Sequence, residues 1–332
     1  MVKRRKHYSK RKTGIFSRLF RSALSIVVLS AFILGLSLFI KKLSTFNVDG
    51  VAYLTNSILI RLGISNEEAG KAAGMFAQRL LETDINPSIS SSRPEKTGQE
   101  AIFSVALMAD SHNDNAQLSH ALHMASEKGI TTVFFLGDAT NYGVTESLQE
   151  VKNIFDNSNL TYYIQPGDHD LYKTVGSKNF VDIFGKVNKT VTIENIKFVV
   201  FDNSANFTKI SDEDMQWFES EVANADFVML AQPVFYPMIS VTTPVMGIVN
   251  GEETPEIREQ ANEILDILQN SEVKTVFVAD HHVSSISVDE KRPSLKHVVV
   301  GAIGAPRKLQ SSRFSILEVR EDGTYNILEV LL

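Results

Sequence analysis

From residue 102 onward the chain alternates two kinds of apolar pattern. Short, nearly continuous apolar runs lie at 102–108, 132–136, 161–164, 197–201, 227–230 and 273–278. Such runs read as strands buried on both faces, as in a parallel sheet covered on each side. Between them, apolar residues recur at helical spacing. Leu118, Ala121, Leu122 and Ala125 are followed by Gly129, and further helices are predicted at 146–155, about 212–222 and about 255–268. Shorter strands are expected at 191–193, near 298–300 and at 314–319, with a closing hairpin through Asp322-Gly323. Strand and helix in alternation predict an α/β fold with a largely parallel sheet.

Polar residues concentrate where the strands end. The run 102–108 opens into Ala109-Asp110-Ser111-His112-Asn113-Asp114, and 132–136 into Gly137-Asp138. The run 161–164 leads to Gln165-Pro166-Gly167-Asp168-His169-Asp170, 227–230 to Ala231-Gln232-Pro233, and 273–278 to Ala279-Asp280-His281-His282. Each of these alone is ordinary turn chemistry, since Gly-Asp commonly marks a turn. Together they put many carboxylates and imidazoles at the C-terminal edge of one sheet, where loops converge and ligands gather. Carboxylates crowded at one edge repel unless a cation neutralises them. The chain has no cysteine, so a bound metal must be held by oxygen and imidazole.

Composition divides the chain. Apolar content of 43% and charged content of 22% are those of a globular protein. Residues 1–42 carry 11 of the 33 Lys+Arg and none of the 39 Asp+Glu, which leaves the remainder at a formal −17. A body that acidic is a poor partner for duplex nucleic acid. Residues 1–22 read as a basic cytoplasmic tail, and the uncharged run 23–40 is long enough to span a bilayer as a helix. Lys41-Lys42 follows that run directly, which favours an uncleaved anchor over a signal peptide. Nine cations before the run predict a single-pass protein with its N-terminus inside and the remainder extracytoplasmic. Residues 41–99 read as a helical stalk passing into a Ser/Pro linker, with the main domain at 100–332.

The series Asp110-x-His112, Gly137-Asp138, Gly167-Asp168-His169-Asp170 and a late His pair resembles the calcineurin-like metallophosphoesterases over about residues 100–332. The resemblance implies a four-layer αββα sandwich with two metals between strand-end loops, and a metal-bound hydroxide that attacks the phosphorus of a phosphate ester. By position, Asp110, His112, Asp138 and His282 are similar to the ligands of the first metal, with Asp138 bridging to the second. His169 resembles the imidazole beside the phosphate, oriented by Asp170. Setting Ala279-Asp280-His281-His282 against the family's Gly-His-x-His makes His282 the ligand; a shift of one would make it His281.

The departures from the family fall on the second metal. Its Asn is Asp168 here, its middle His is Ala231, and its other His is Asp280. Asp138, Asp168 and Asp280 could still form an oxygen-only site, better suited to Mg²⁺, Mn²⁺ or Ca²⁺ than to Zn²⁺. The resemblance leaves iron or zinc open for the first site, and either one ion or a changed pair overall. The expected function is a membrane-anchored, metal-dependent phosphoesterase, mono- or diester. The competing reading is a non-catalytic relative that keeps one metal as a binding or scaffold domain. Asp280-His281-His282 also spells the DHH signature of another phosphoesterase class, a distant third because Gly137-Asp138 and Gly167-Asp168-His169-Asp170 fit the calcineurin-like pattern better.

Overall fold

The computed structural model describes residues 100–332 apart from 175, 238, 240–242, 250 and 305–309. The tail 1–22, the apolar run 23–40 and the segment 41–99 lie outside the described residues. Among the described residues no helix is long and apolar enough to cross a membrane.

The chain enters through β1 (Phe103–Met108), α1 (Asn115–Glu127), β2 (Thr132–Phe135), α2 (Thr145–Asn157) and β3 (Thr161–Ile164). A 3-10 turn at His169–Leu171 and the short α3 (Lys178–Phe184) lead to β4 (Lys189–Ile193), β5 (Ile196–Phe201), α4 (Asp212–Val222) and β6 (Phe227–Leu230). A small hairpin, β7 (Ile248–Val249) and β8 (Glu252–Glu253), precedes α5 (Pro255–Gln269). The chain ends with β9 (Thr275–Val278), β10 (Ser285–Val288), β11 (Lys296–Val299), β12 (Arg313–Val319) and β13 (Tyr325–Leu331).

The helices begin and stop where local chemistry dictates. Asp114 caps α1 by accepting from Gln117 N at 3.2 Å, and Ser211 caps α4 through Asp214 N at 3.1 Å. Pro255 opens α5, a position where its missing N–H costs nothing. Gly129 follows α1 with φ +77°, a conformation few other residues adopt without strain.

The strands form two main sheets, ordered β13-β12-β1-β2-β3 and β10-β11-β9-β6-β5-β4. Alternation along each strand then assigns its side chains to layers. From β1 and β2, Ala106, Met108, Val133 and Phe135 face α1, α2 and α3, where they meet Leu118, Leu148, Phe155 and Phe180. Their neighbours Val105, Leu107 and Phe134 point the other way, toward Phe198, Val200, Phe227, Met229 and Phe277 of the second sheet. The far face of that sheet, with Val199, Phe201, Val228 and Val276, packs on Phe218 of α4 and Ile257, Ala261 and Ile264 of α5. The order is helix, sheet, sheet, helix. Phe198 lies at its centre, stacked between Phe134 at 5.0 Å and Phe227 at 5.3 Å. Each such ring withdrawn from water contributes roughly 1.5–3 kcal/mol.

Register aligns the strand ends. Met108 pairs with Phe135, and Phe135 with Ile164, so the loops after β1, β2 and β3 leave at one level. In the second sheet Met229 pairs with Phe277, and Ala279 N donates to Ala231 O at 3.1 Å. The β7/β8 hairpin, α3 and β10 were not legible in the pattern. In α3 only Phe180 is buried, too little to mark a helical stripe. The edge strand β10 leaves Ile286 and Val288 exposed, which removes the inward-facing apolar signal.

Candidate metal centre

The loop after β1 continues to pair with the loop after β2 beyond the sheet. Asp110 N donates to Gly137 O at 3.0 Å, His112 N to Asp138 O at 3.0 Å, and Asn113 N to Ala139 O at 3.1 Å. To do so the backbone adopts left-handed values: φ is 56° at Asp110, 45° at His112, 64° at Asn113 and 56° at Asp138. Asp280 at 74° and His282 at 58° join them. Asp, Asn and His tolerate this region better than most residues, yet each such position costs on the order of 1–3 kcal/mol. Glycine is needed where the loops touch. A Cβ on Gly167 would lie 2.0 Å from Asp138 Oδ1 and 2.4 Å from Asp138 N.

These backbones converge four buried side chains. Asp110, His112, Asp138 and His282 each present one ligand atom, all within 4.8 Å of one another. The two Nε2 atoms of His112 and His282 face each other at 3.0 Å. Asp138 Oδ2 lies 3.5 Å from His112 Nε2, and Asp110 Oδ1 lies 3.9 Å from His282 Nε2. A second group at the same spacing is Asp138, Asp168 and His169. Asp138 belongs to both, the position expected of a bridging carboxylate.

Asp138 carries the electrostatic burden of the site. Burial pushes its carboxyl well above the usual range, and the neighbouring Asp168, Asp110, Asp170 and Asp280 add to that push. Asp138 Oδ2 and Asp168 Oδ1 are buried and make no hydrogen bond within the protein. Bare buried carboxylate oxygens are costly unless a cation supplies the missing charge. The donor set therefore fits a divalent ion: mixed imidazole and carboxylate in the first group, mainly carboxylate in the second.

The remaining residues singled out in the sequence divide. His282 enters the four-residue group, whereas His281 turns away: its Nε2 meets Pro244 O at 2.6 Å and its ring lies edge-on to Tyr236. Burial lowers the His281 pKa to about 4, so the ring is neutral at physiological pH. Asp280 stands near enough to Asp138 to raise its pKa, and His169 lies at ligand spacing from Asp138 and Asp168.

Asp170 requires a correction. Its carboxylate does not orient the His169 ring; it accepts from Ala139 N, Thr140 N, Thr140 Oγ1 and Gly167 N, at 2.7–3.1 Å. Those bonds staple the second and third strand-end loops together. The His169 ring is held instead by Asn141 O, 3.0 Å from Nδ1, while His169 N donates to Asp138 Oδ1 at 3.1 Å. Asn141 carried no sequence signal, because its contribution is a backbone carbonyl that any residue possesses. A cleft of about 560 Å³ adjoins Asp168, with Tyr172, Asn206 and Phe207 on its walls.

A family model described as calcineurin-like phosphoesterase matches residues 103–284. No curated protein sequence matches the chain. Among solved structures, a dimetal phosphatase from Danio rerio is similar at 12% identity, over 70% of this chain and 99% of its own, with a TM-score of 0.53. A purple acid phosphatase from seeds of yellow lupin (Lupinus luteus) is 14% identical over 70% of this chain and 54% of its own, with a TM-score of 0.49. At 12% identity the likeness to the Danio rerio phosphatase concerns the fold.

The raised Asp138 pKa has a measurable consequence. Between the ordinary carboxylate pKa and the raised one, the folded chain holds a proton that the unfolded chain has released. The contribution of Asp138 to the stability of the ion-free protein therefore falls as pH rises above about 4. Asp138→Asn removes that share, so in EDTA at pH 7 the variant should melt above the parent. With saturating Mn²⁺ the order should reverse. Thermal denaturation across pH 4–8 measures both, and a lower melting point for the variant in EDTA at pH 7 contradicts this account.

Proposed function

The chain belongs to the calcineurin-like phosphoesterase family, and from that premise we propose that it hydrolyses phosphate esters with divalent metal ions. The observation that carries this reading is the buried convergence of Asp110, His112, Asp138 and His282 beside Asp138, Asp168 and His169. In this reading the first four residues hold one ion, and Asp138 with Asp168 holds a second. Held there, divalent ions would supply a water of lowered pKa and positive charge for the phosphoryl oxygens.

The protein's own groups supply the rest. A carbonyl only accepts, so the 3.0 Å contact from His169 Nδ1 to Asn141 O requires the proton on Nδ1. Nε2 is then the nitrogen that gains and loses a proton, and we assign it to protonating the departing oxygen. Asp170 keeps the Gly137-Asp138 and Gly167-Asp168 loops in register and takes no part in proton transfer. Carboxylate donors in the second group favour Mn²⁺ or Mg²⁺ over Zn²⁺ there.

Activity on p-nitrophenyl phosphate and bis-p-nitrophenyl phosphate with each metal tests the reading. Mn²⁺ or Mg²⁺ should support turnover, and Zn²⁺ alone should not. His282→Ala should abolish it, whereas His281→Ala should lower thermal stability and leave metal affinity nearly unchanged. His169→Ala should cost about 10²–10⁴-fold in kcat, the usual share of a proton donor. The absence of an imidazole at Ala231 favours a second reading, a metal-stabilised binding domain. A filled first site with no turnover on either ester under any metal would select it.

We also propose that residues 23–40 anchor the protein in a membrane, with 1–22 cytoplasmic and 41–99 linking the span to an extracytoplasmic domain. The uncharged run and the cations preceding it support this arrangement. The full chain should remain with membranes after carbonate washing, and external protease should reach the 100–332 domain. Recovery of an intact, shortened soluble form would contradict the anchor.

A further inference from the structure

We infer that Asn206 and Gln232 form an amide relay that positions Asp168 for the second ion, doing by orientation what the missing imidazole at Ala231 would do by ligation. The inference rests on the reading of Asp138 and Asp168 as ion ligands; it does not depend on hydrolysis.

The relay starts in the loop after β6. Gln232 is 4% exposed, and its Nε2 donates to Ser204 O at 3.2 Å and to Asn206 Oδ1 at 2.7 Å. Ser204 O is a carbonyl and accepts only, which fixes which end of the Gln232 amide faces this way. Asn206, 8% exposed, must then turn its oxygen to Gln232 and its nitrogen outward. That nitrogen donates to Asp168 Oδ2 at 2.8 Å, where the Tyr172 hydroxyl also points at 3.3 Å. One carboxylate oxygen is thus claimed by neutral donors. The other, Oδ1, stays buried without a hydrogen bond, in the carboxylate that groups with Asp138 and His169.

The base of the relay is rigid. Asn203 Oδ1 accepts from Ala231 N at 2.8 Å and Gln232 N at 3.0 Å, and Asn203 Nδ2 donates to Gln232 O at 2.9 Å. The ends of β5 and β6 in the second sheet therefore determine how a carboxylate after β3 in the first sheet is turned. A neutral donor on Oδ2 fixes how the carboxylate is turned and adds no positive charge to compete with a cation at Oδ1. Asn206 and Gln232 are positioning residues, acting through Asp168.

The test is Mn²⁺ binding to the detergent-solubilised full chain, followed by calorimetry and by electron paramagnetic resonance of free Mn²⁺, with melting of the EDTA-treated protein as a folding control. The parent should bind two ions. Asn206→Ala should weaken the second by about 10–100-fold, as loss of a group holding a ligand typically does, and leave the first within a factor of about two. Gln232→Leu, which touches Asp168 only through Asn206, should shift the second affinity in the same direction by less. Asn206→Asp, which sets a carboxylate against Asp168, should abolish the second ion. A purely structural role would weaken both ions in parallel. That parallel loss, an unchanged second affinity in Asn206→Ala, or a single ion in the parent would each overturn the inference. Should the parent bind two ions with these shifts yet hydrolyse neither ester, the relay stands and the proposed activity fails.

Discussion

The constraint on which the rest of the structure depends is the repulsion gathered around Asp138. Burial and four neighbouring carboxylates all push its pKa upward, so folding the domain without a cation means concentrating negative charge where water cannot screen it. Such a cost persists only if the surroundings over-determine the geometry and a ligand offsets the charge. The left-handed backbones at Asp110, His112, Asp138, Asp280 and His282 belong to the same cost. A single edge holds both the strained main chain and the crowded carboxylates.

The two-sheet sandwich is what makes that concentration sustainable. Phe134, Phe198 and Phe227 stack through its centre and fix the distance between the sheets. Strand register places the loops after β1, β2 and β3 at one level, and the loops after β6 and β9 at another. Asp170 ties the loops after β2 and β3 together through four hydrogen bonds, and Asn203 ties the loop after β6 to the end of β5 through three. Contacts between the sets then pass through a few side chains: His112 to His282, and Gln232 through Asn206 to Asp168. Small rotations in those side chains would change ion geometry without disturbing the core.

Much of this was legible in the amino-acid order, for local reasons. The helix 212–222 and the strands 161–164 and 227–230 have the bounds that their apolar pattern indicates, because periodicity and capping act within a few residues. The four-residue group could be anticipated from its motifs, because each lies at a strand end and the family resemblance set His282, not His281, beside Asp110, His112 and Asp138. What could not be read depends on contacts across long separations. Nothing near Asp170 shows that its carboxylate serves Ala139 and Thr140 rather than the adjacent His169. Asn206 lies in a stretch with no sequence signal, Gln232 in a strand-end motif noted only for its neighbour Ala231, and their relation to Asp168 exists only after two sheets have packed. The nearness of His169 to Asp138 and Asp168 likewise appears only once the loops have converged.

The most direct measurement is anomalous diffraction from crystals of the Mn²⁺-loaded protein, collected on both sides of the manganese edge. The account predicts a strong anomalous peak enclosed by Asp110, His112, Asp138 and His282, and a second peak between Asp138 and Asp168, with His281 in contact with neither. Crystals grown with Mn²⁺ that show no peak among those four residues, or a peak ligated by His281 in place of His282, would contradict it.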